Sequence, residues 1–401
     1  MTVLSRLFSE GFRIFFAVAC GFALLSMLVW EGWLAVVAAG GIPALPPTIA
    51  PHLWHAHEMI FGYGTAVLAG FFLTAVPNWT GKPGAPQRYI GLAFAIWLAG
   101  RLALWFSADL PPLAVALADL AFLPVLALKI AGQLIARPKP QQLIFLLALA
   151  LLWLGNLLCH LEWLGLLRDG VAPGLRAGLL TLIAMILILG GRVTPGFTRN
   201  AMVAAGREAG LPRNPAPLAA ATIAPALALP PALLLGLPEA VIAGLALLSG
   251  VAALLRLALW QGRWTLSRPI LWTLHLSYAL AGLGLIAFGL AGLGIGSEMA
   301  ALHLLGVGGV GGMTLSVLSR ASLGHSGRPL HAPPALALAY GLMPLAALAR
   351  FAASALPQLH DPASLTAGAL WLLAFSLAIA ALWPAWLMPR PARRPVGDPP
   401  Q

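Results

Sequence analysis

Long apolar runs separated by short polar connections make up almost the whole chain. Each run is close to the 20 or so residues that an α-helix needs to cross the hydrocarbon core of a bilayer. The ten-residue alternation typical of membrane β-strands is absent from the sequence. The pattern therefore predicts an all-α integral membrane protein, a bundle of about twelve transmembrane helices. The spans are predicted at about 12–36, 53–77, 88–107, 112–136, 141–164, 174–191, 216–235, 238–260, 268–292, 297–320, 333–356 and 362–388.

The composition excludes a water-soluble fold. Of the 401 residues, 60% are apolar and only 9% are charged, and the mean hydropathy is +0.90. A soluble globular domain carries about 25% charged residues. We therefore expect one polytopic membrane domain over residues 1–389, followed by a disordered tail rich in proline and arginine at 390–401.

The distribution of positive charge predicts the orientation of the bundle. Seventeen lysines and arginines fall at the termini and at alternate connections, whereas the opposite connections carry only Arg168 and Arg176. Because cytoplasmic loops are rich in basic residues, both termini are predicted to be cytoplasmic. The longest cytoplasmic connection, 192–215, would divide the spans six and six, and Pro195 is expected to end the sixth helix.

The chain has a formal net charge of +11, and a strongly positive net charge is also typical of proteins that bind nucleic acid. Here, however, no basic cluster is interleaved with aromatic residues, and the charges follow the membrane pattern. The lipid bilayer is therefore the expected partner, and nucleic acid is not. A six-plus-six layout is shared by many secondary transporters, so that functional class stays open at this point.

The most informative polar cluster lies at the outer start of the second span. His52, His55, His57 and Glu58 fall within seven residues, directly before an apolar run. Placing such polar side chains in a membrane costs free energy unless they pair with other groups or bind a ligand. A single membrane histidine is more often a packing residue, but three within six positions favour metal ligation. His55 and His57 differ by about 200° around a helix, so one helix could serve two centres.

Other potential ligands fall in the same outer third of the membrane. His160 lies about 6 Å from the outer end of its span, and His303 lies about 9 Å inside the tenth span. Met299 and His303 share a helix face, although methionine at helical spacing is usually core. Imidazole suits haem iron, copper and zinc, and thioether sulfur selects copper(I). The predicted ligands are His55, His57 and His303, then His52, His160 and Met299, with Glu58 orienting a histidine or relaying protons.

Two further features accompany the histidines. Glycines at Gly62, Gly64 and Gly70, and again between 306 and 312, leave helix faces without side chains. Such faces allow either close helix packing or a flat slot for a planar cofactor such as porphyrin. At the cytoplasmic end of the tenth span are donors suited to propionates, phosphates or acidic headgroups. These donors are Arg320, His325 and Arg328, for which a solvated anchor at the membrane edge is the commoner explanation.

Several longer motifs resemble one known family. They are His55-Ala-His-Glu-Met-Ile-Phe-Gly-Tyr-Gly64, Ala69-Gly-Phe-Phe-Leu-Thr-Ala-Val-Pro-Asn-Trp-Thr-Gly81, Gly190-Gly-Arg-Val-Thr-Pro195 with Phe197-Thr-Arg-Asn200, Leu318-Ser-Arg-Ala-Ser-Leu-Gly-His-Ser-Gly-Arg328, and Phe12-Arg-Ile-Phe-Phe16. The chain resembles the NnrS family, multi-pass membrane proteins associated with haem, copper and bacterial nitric oxide metabolism. The motifs run from the first span to the tenth, and the last two spans carry little signature.

The resemblance implies about twelve helices in a bacterial inner membrane, bound b-type haem and copper, and a role in the nitrosative stress response. It carries His55, His57, Glu58 and His303 over as site residues. It implies no particular reaction, so the question of catalysis stays open, as does the oligomeric state. The leading hypothesis is thus a haem- and copper-binding protein that acts on nitric oxide or a nitrosylated metal species.

Two alternatives come from other functional classes. A proton-coupled secondary transporter of a small anion or metal complex would use the histidines as coupling groups. A respiratory oxidase or nitric oxide reductase core also has about twelve helices, but it needs a pair of adjacent histidines. This sequence has one His-x-His, at His55 and His57, and no His-His pair. The oxidase hypothesis is therefore disfavoured.

Overall fold

Twelve long helices make up most of the part of the chain that the structure describes. The computed structural model describes residues 2–136 and 139–391, and within them it contains no strand. Its all-α multi-pass architecture confirms the predicted fold class. The long helices are α1 (Gly11–Ala38), α2 (Pro51–Thr80), α3 (Gln87–Trp105), α4 (Pro112–Leu134), α5 (Pro140–Trp163), α6 (Val171–Ala204), α7 (Ala216–Leu234), α8 (Glu239–Ala258), α9 (Pro269–Ala291), α10 (Glu298–His325), α11 (Pro334–Ala355) and α12 (His360–Leu387). Short turns at Val3–Leu7, Gly262–Thr265 and Pro357–Leu359 complete the described helices.

Eleven of the described helices are long and apolar enough to cross a membrane. The remaining long helix, α3, has 19 residues and carries Arg88 and Arg101. Arg101 is buried and pairs with acidic side chains inside the bundle, so its charge does not face lipid. Each of the twelve predicted spans thus corresponds to one helix of the structure.

The two ends of the described chain lie together at one end of the bundle. Arg6 Nη1 donates to the carbonyl of Leu387 at 2.7 Å, and Arg390 pairs with Glu10 at 2.8 Å. Both ends therefore lie on one side of the bundle, as the charge pattern predicts. Outside the described residues lie Arg137 and the greater part of the predicted tail, residues 392–401, with Arg393 and Arg394.

Helix α6 is longer than the sequence pattern predicts. It continues through Pro195, so the prediction that Pro195 ends the helix is wrong, and the connection that follows is shorter than 192–215. A proline inside a helix leaves the carbonyl four residues earlier without its backbone donor. Here Gly191 O accepts from Arg256 Nη2 at 2.9 Å and from Asn214 Nδ2 at 3.1 Å. The helix continues because these side chains replace the lost hydrogen bond.

Helix α4 shows the same compensation at a short interruption. Its two segments, Pro112–Leu120 and Phe122–Leu134, meet just before Pro124. Pro124 cannot donate to the carbonyl of Leu120. That carbonyl accepts from the indole Nε1 of Trp153 on α5 at 3.0 Å instead. The bond holds α4 against α5 next to Asp119, which belongs to the site described below.

Helices α2 and α10 each contain a π-helical segment directly after a histidine. The segment in α2 is Glu58–Gly64, which follows His57, and the segment in α10 is Leu304–Gly311, which follows His303. Such segments are rare in helices and occur often at functional sites. The apolar periodicity does not predict them. The π-helical segments therefore lie in α2 and α10, the same two helices that contain His57 and His303.

The glycines of these segments allow close packing. A methyl group at Gly62 would lie 2.6 Å from the Phe22 ring and 2.8 Å from Arg101 Nη1. A methyl group at Gly311 would overlap the Trp371 ring. At these two glycines, neighbouring side chains fill the space that a flat cofactor slot would need. Close packing, the first of the two predicted explanations, therefore accounts for them.

Candidate functional site

The histidines at the start of α2 face in different directions. His57 points to α4 and α5, where it contacts polar side chains. His55 points to α1, where its ring stacks on Trp30 with centroids 4.7 Å apart and planes 14° apart. The two-sided arrangement follows from the angle of about 200° between residues two apart on a helix. Each side is a candidate site of its own.

His57 is buried, and both of its ring nitrogens contact oxygen atoms. Nδ1 lies 3.1 Å from Glu58 Oε1, and Nε2 lies 2.8 Å from Asn156 Oδ1 and 3.4 Å from Asp119 Oδ2. Asn156 Nδ2 donates to Asp119 Oδ2 at 2.8 Å. His160 Nε2 contacts the same carboxylate oxygen at 2.8 Å. Asp119 Oδ2 thus collects polar contacts from three side chains.

Arg101 connects the two carboxylates of this side. Its Nη1 donates to Glu58 Oε1 at 2.6 Å, and its Nη2 pairs with Asp119 Oδ1. All three side chains are buried, with at most 7% of each residue exposed. Charges at such depth persist only where opposite charges and hydrogen bonds compensate for lost hydration. We call this group the buried charge network; its members are His57, Glu58, Arg101, Asp119, Asn156 and His160.

Three members of the buried charge network have the spacing of metal ligands. Ligand atoms of His57, Asp119 and His160 lie within 4.8 Å of one another. However, the Nε2 atoms of both histidines already contact oxygen, and Arg101 brings positive charge against Asp119. A metal cation would have to displace these contacts. The spacing allows a metal, whereas the charges and hydrogen bonds favour a proton-handling or structural network.

On the other side of α2, His55 lies within electrostatic range of two groups from other helices, His303 of α10 and Arg350 of α11. The Nδ1 atom of His55 is buried and has no hydrogen-bond partner among the described residues. His303 Nδ1 donates to the carbonyl of Met299 at 2.8 Å. A neutral imidazole carries one N–H, so the lone pair of His303 is on Nε2. We call His55 and His303 the histidine pair.

Contacts below the histidine pair hold α2 and α10 together. The hydroxyl groups of Tyr63 and Thr314 are hydrogen-bonded at 2.5 Å. The Tyr63 ring also makes edge contacts with Trp371 and Phe375 of α12, with centroids 6.0 and 5.7 Å apart. These hydrogen-bonded and aromatic side chains therefore join α2 to α10 and α12 below the level of the two histidines.

Comparison with models of known protein families gives a match over nearly the whole chain. A family model described as NnrS protein matches residues 6–390. The chain belongs to the NnrS family. No curated protein matches the sequence. The family match agrees with the resemblance carried by the motifs of α2, α6 and α10.

The other predicted ligands of this NnrS-family chain lie apart from the histidine pair. His160 is part of the buried charge network. His52 is exposed at the start of α2, and Met299 is 56% exposed one turn before His303. Four of the five histidines predicted to gather in one layer therefore divide into two groups on different sides of α2, and His52 belongs to neither group.

The predicted donors at the inner end of α10 belong to a different part of the molecule. Arg320 lies over the Phe197 ring, 3.9 Å from its centroid. From His303 to His325 the helix advances 22 residues, or about 33 Å. A porphyrin held by the histidine pair could not reach so far. The inner donors in question are Arg320, His325 and Arg328.

Sequence reasoning missed several residues that shape this NnrS-family site. Arg101 and Asp119 are charged residues inside predicted spans, a signal that could have identified them. Asn156 and Trp30 give no comparable signal, because amide and aromatic side chains are ordinary in membrane helices. Their roles follow from helix rotation and packing, which the linear pattern does not contain.

Proposed function

We propose that this NnrS-family protein binds haem and copper in the outer third of a bacterial inner membrane. There it acts on nitric oxide or a nitrosylated metal species as part of the nitrosative stress response. The histidine pair carries this proposal. The imidazole of His55 has a buried Nδ1 atom without a hydrogen-bond partner among the described residues, and it lies within electrostatic range of His303, whose Nε2 carries the lone pair. Imidazole nitrogens are ligands for both haem iron and copper.

The surroundings of the histidine pair fit metal ligation. The Met299 carbonyl fixes the tautomer of His303, in the way that metal-ligating histidines are usually held. Stacking on Trp30 orients the ring of His55. A buried polar atom without a partner costs about 1–3 kcal/mol, and ligation would remove that cost at His55 Nδ1.

Iron or copper at the histidine pair would supply a coordination position for nitric oxide. Nitric oxide is small and uncharged, so it reaches this depth through lipid without a polar channel. The two cysteines, Cys20 and Cys159, lie far apart in the sequence and form no covalent haem attachment motif, which supports a b-type haem. On the far side of α2, Glu58 and His57 are placed to move protons or to stiffen the helix start.

The proposal is tested by spectroscopy and metal analysis of purified protein. We expect a haem Soret band, copper by elemental analysis, and a spectral change on addition of nitric oxide to the reduced protein. His55→Ala and His303→Ala should each remove most of one metal. His331→Ala is the matched control, because His331 is exposed in the connection after α10. Absence of a Soret band, together with unchanged metal content in both variants, would contradict the proposal.

The buried charge network favours a second candidate function, a proton-coupled secondary transporter of a small anion or metal complex. Ionisable groups paired inside a membrane are the usual components of proton relays. The test is solute flux in proteoliposomes driven by a pH gradient. Flux that is lost in a folded Asp119→Asn variant, from protein without a metal spectrum, would support transport. A metal spectrum without flux would support the first proposal.

A further inference from the structure

A cavity of about 430 Å³ lies between α1, α2 and α3. Its walls are largely aromatic. Phe22 and Trp97 meet edge to face with centroids 5.4 Å apart, and Trp54 and Trp105 do so at 5.5 Å. The volume falls within the range of about 300–1,000 Å³ typical of small-molecule sites. The cavity is separate from the histidine pair, which lies on the α10 side of α2.

The mouth of the cavity faces the lipid. Three of its lining residues, Leu25, Leu102 and Phe106, are exposed on the outside of the bundle. Leu25 lies at the middle of α1, and Leu102 and Phe106 lie at and just after the last turn of α3. Exposed apolar side chains of membrane helices meet acyl chains rather than water. A ligand would therefore enter sideways from the bilayer, and a long apolar tail could remain among the lipids.

The lining also contains two charged groups, Glu58 and Arg101. Arg101 is 7% exposed, and its Nε–H has no acceptor among the described residues, although both of its Nη atoms pair with carboxylates. A buried donor without an acceptor is unfavourable, so a ligand oxygen that accepts from this side chain would be stabilised. Beside it, the Glu58 carboxylate can accept a hydrogen bond from a ligand hydroxyl.

We propose that this cavity binds a membrane quinone or its quinol. The aromatic walls fit a flat ring, the Arg101 guanidinium fits a ring carbonyl, Glu58 fits a ring hydroxyl, and the lateral mouth fits an isoprenoid tail. A lipid acyl chain would fill the apolar walls but would bring no oxygen to Arg101. A phospholipid phosphate would meet the negative charge of Glu58. The site does not require a metal at the histidine pair, so the two proposals can fail separately.

Photolabelling tests the position of the site. Protein in lipid nanodiscs is irradiated with an azido-quinone that carries a short isoprenoid tail, and the labelled peptides are mapped by mass spectrometry. We expect labelling in residues 22–29 of α1 and 97–106 of α3, and its loss when unlabelled short-tail ubiquinone is added. Labelling that is spread over the lipid-facing surface, or that resists competition, would overturn the proposal.

A second competitor tests the role of the polar groups. An alkylbenzene of the same size and tail length, without ring oxygens, can fill the apolar walls but cannot accept from Arg101. One buried hydrogen bond is worth about 1.4 kcal/mol, so we expect this analogue to compete about tenfold less well than the quinone. Equal competition by the two molecules would assign the cavity to acyl chains.

A variant at the mouth completes the test without disturbing the charged residues. Leu102→Trp places a larger ring at an exposed lining position and should reduce labelling at least tenfold. Leu28→Trp is the matched control, because Leu28 is about as exposed on α1 but does not line the cavity. Labelling of the Leu102→Trp protein at the level of the control would contradict a quinone site here.

Discussion

The two sides of α2 carry histidines from one short stretch of sequence, yet they make opposite kinds of contact. On the side of His57, ring nitrogens, carboxylates and a guanidinium contact one another across α2, α3, α4 and α5. On the side of His55, the buried Nδ1 atom has no hydrogen-bond partner among the described residues, and the ring stacks on an indole. The first side is held together by its own charges, whereas the second side leaves a ring nitrogen open to a ligand.

The difference arises from the helices that each side meets. The His57 side packs against α3, α4 and α5, which bring Arg101, Asp119 and Asn156 to the same depth. On the His55 side, α1 brings Trp30, and His303 of α10 and the cation Arg350 of α11 lie within electrostatic range. Opposite charges therefore balance one another on the first side. The second side presents imidazoles, which suit a metal ion.

The largest expected effect is on stability, from removal of the central charge of the network. Arg101→Leu would leave the carboxylates of Glu58 and Asp119 buried without their cation. Breaking a buried ion pair from one side costs about 3–5 kcal/mol. We expect a large loss of unfolding free energy in detergent titrations, or loss of the folded peak in size-exclusion chromatography.

A second arginine of this protein provides the control for that experiment. Arg176 pairs with Glu298 at 2.7 Å, but both side chains are 40% exposed at the outer ends of α6 and α10. An exposed pair of this kind contributes about 0–1 kcal/mol. Arg176→Leu should therefore change stability little. If Arg101→Leu and Arg176→Leu lowered the unfolding free energy equally, the buried charge network would contribute no more to stability than an exposed ion pair does.

The intermediate effect compares the two histidines directly. His57→Ala leaves Asn156 Oδ1 without a hydrogen-bond donor, at a cost of about 1–3 kcal/mol, whereas Glu58 Oε1 keeps its bond from Arg101. His55→Ala removes a stacked ring but no hydrogen bond, so it should cost less stability while removing bound metal. We therefore expect His57→Ala to lose more unfolding free energy and His55→Ala to lose more bound metal, with both quantities measured on both purified variants. If His57→Ala lost the metal and His55→Ala lost the stability, the assignment of the two sides would be reversed.

The sequence was sufficient to predict the helices and to point to α2 and α10. Apolar runs of membrane length place most helix ends within a few residues of those observed, because burial in lipid depends on local composition. The end of α6 was predicted wrongly because its continuation depends on Arg256 and Asn214, which satisfy the carbonyl of Gly191. That compensation comes from distant residues, and no local signal reveals it.

The candidate site was predictable only in part, for the same reason. The spacing of His55 and His57 indicates two directions, but it does not say what lies in either. Asp119 and Arg101 come from other helices, and their meeting depends on how those helices are rotated and packed. The π-helical segments Glu58–Gly64 and Leu304–Gly311 add a local change of rotation below each histidine. The pairing of these side chains is therefore seen only in the three-dimensional structure.

The smallest expected effect concerns the indole that holds one member of the histidine pair. Trp30→Leu removes the ring stacked on His55 but leaves the histidine itself. An aromatic pair contributes about 0.5–1.5 kcal/mol beyond its buried area, so copper affinity should fall by about tenfold or less, measured with a competing chelator. Trp33→Leu is the control, because Trp33 stacks on Trp30 at 5.3 Å, one ring further from the histidine. A loss as large as that of His55→Ala would make the indole part of the site itself. No difference between the two tryptophan variants would mean that packing around α2, rather than the stack, sets the direction of the His55 ring.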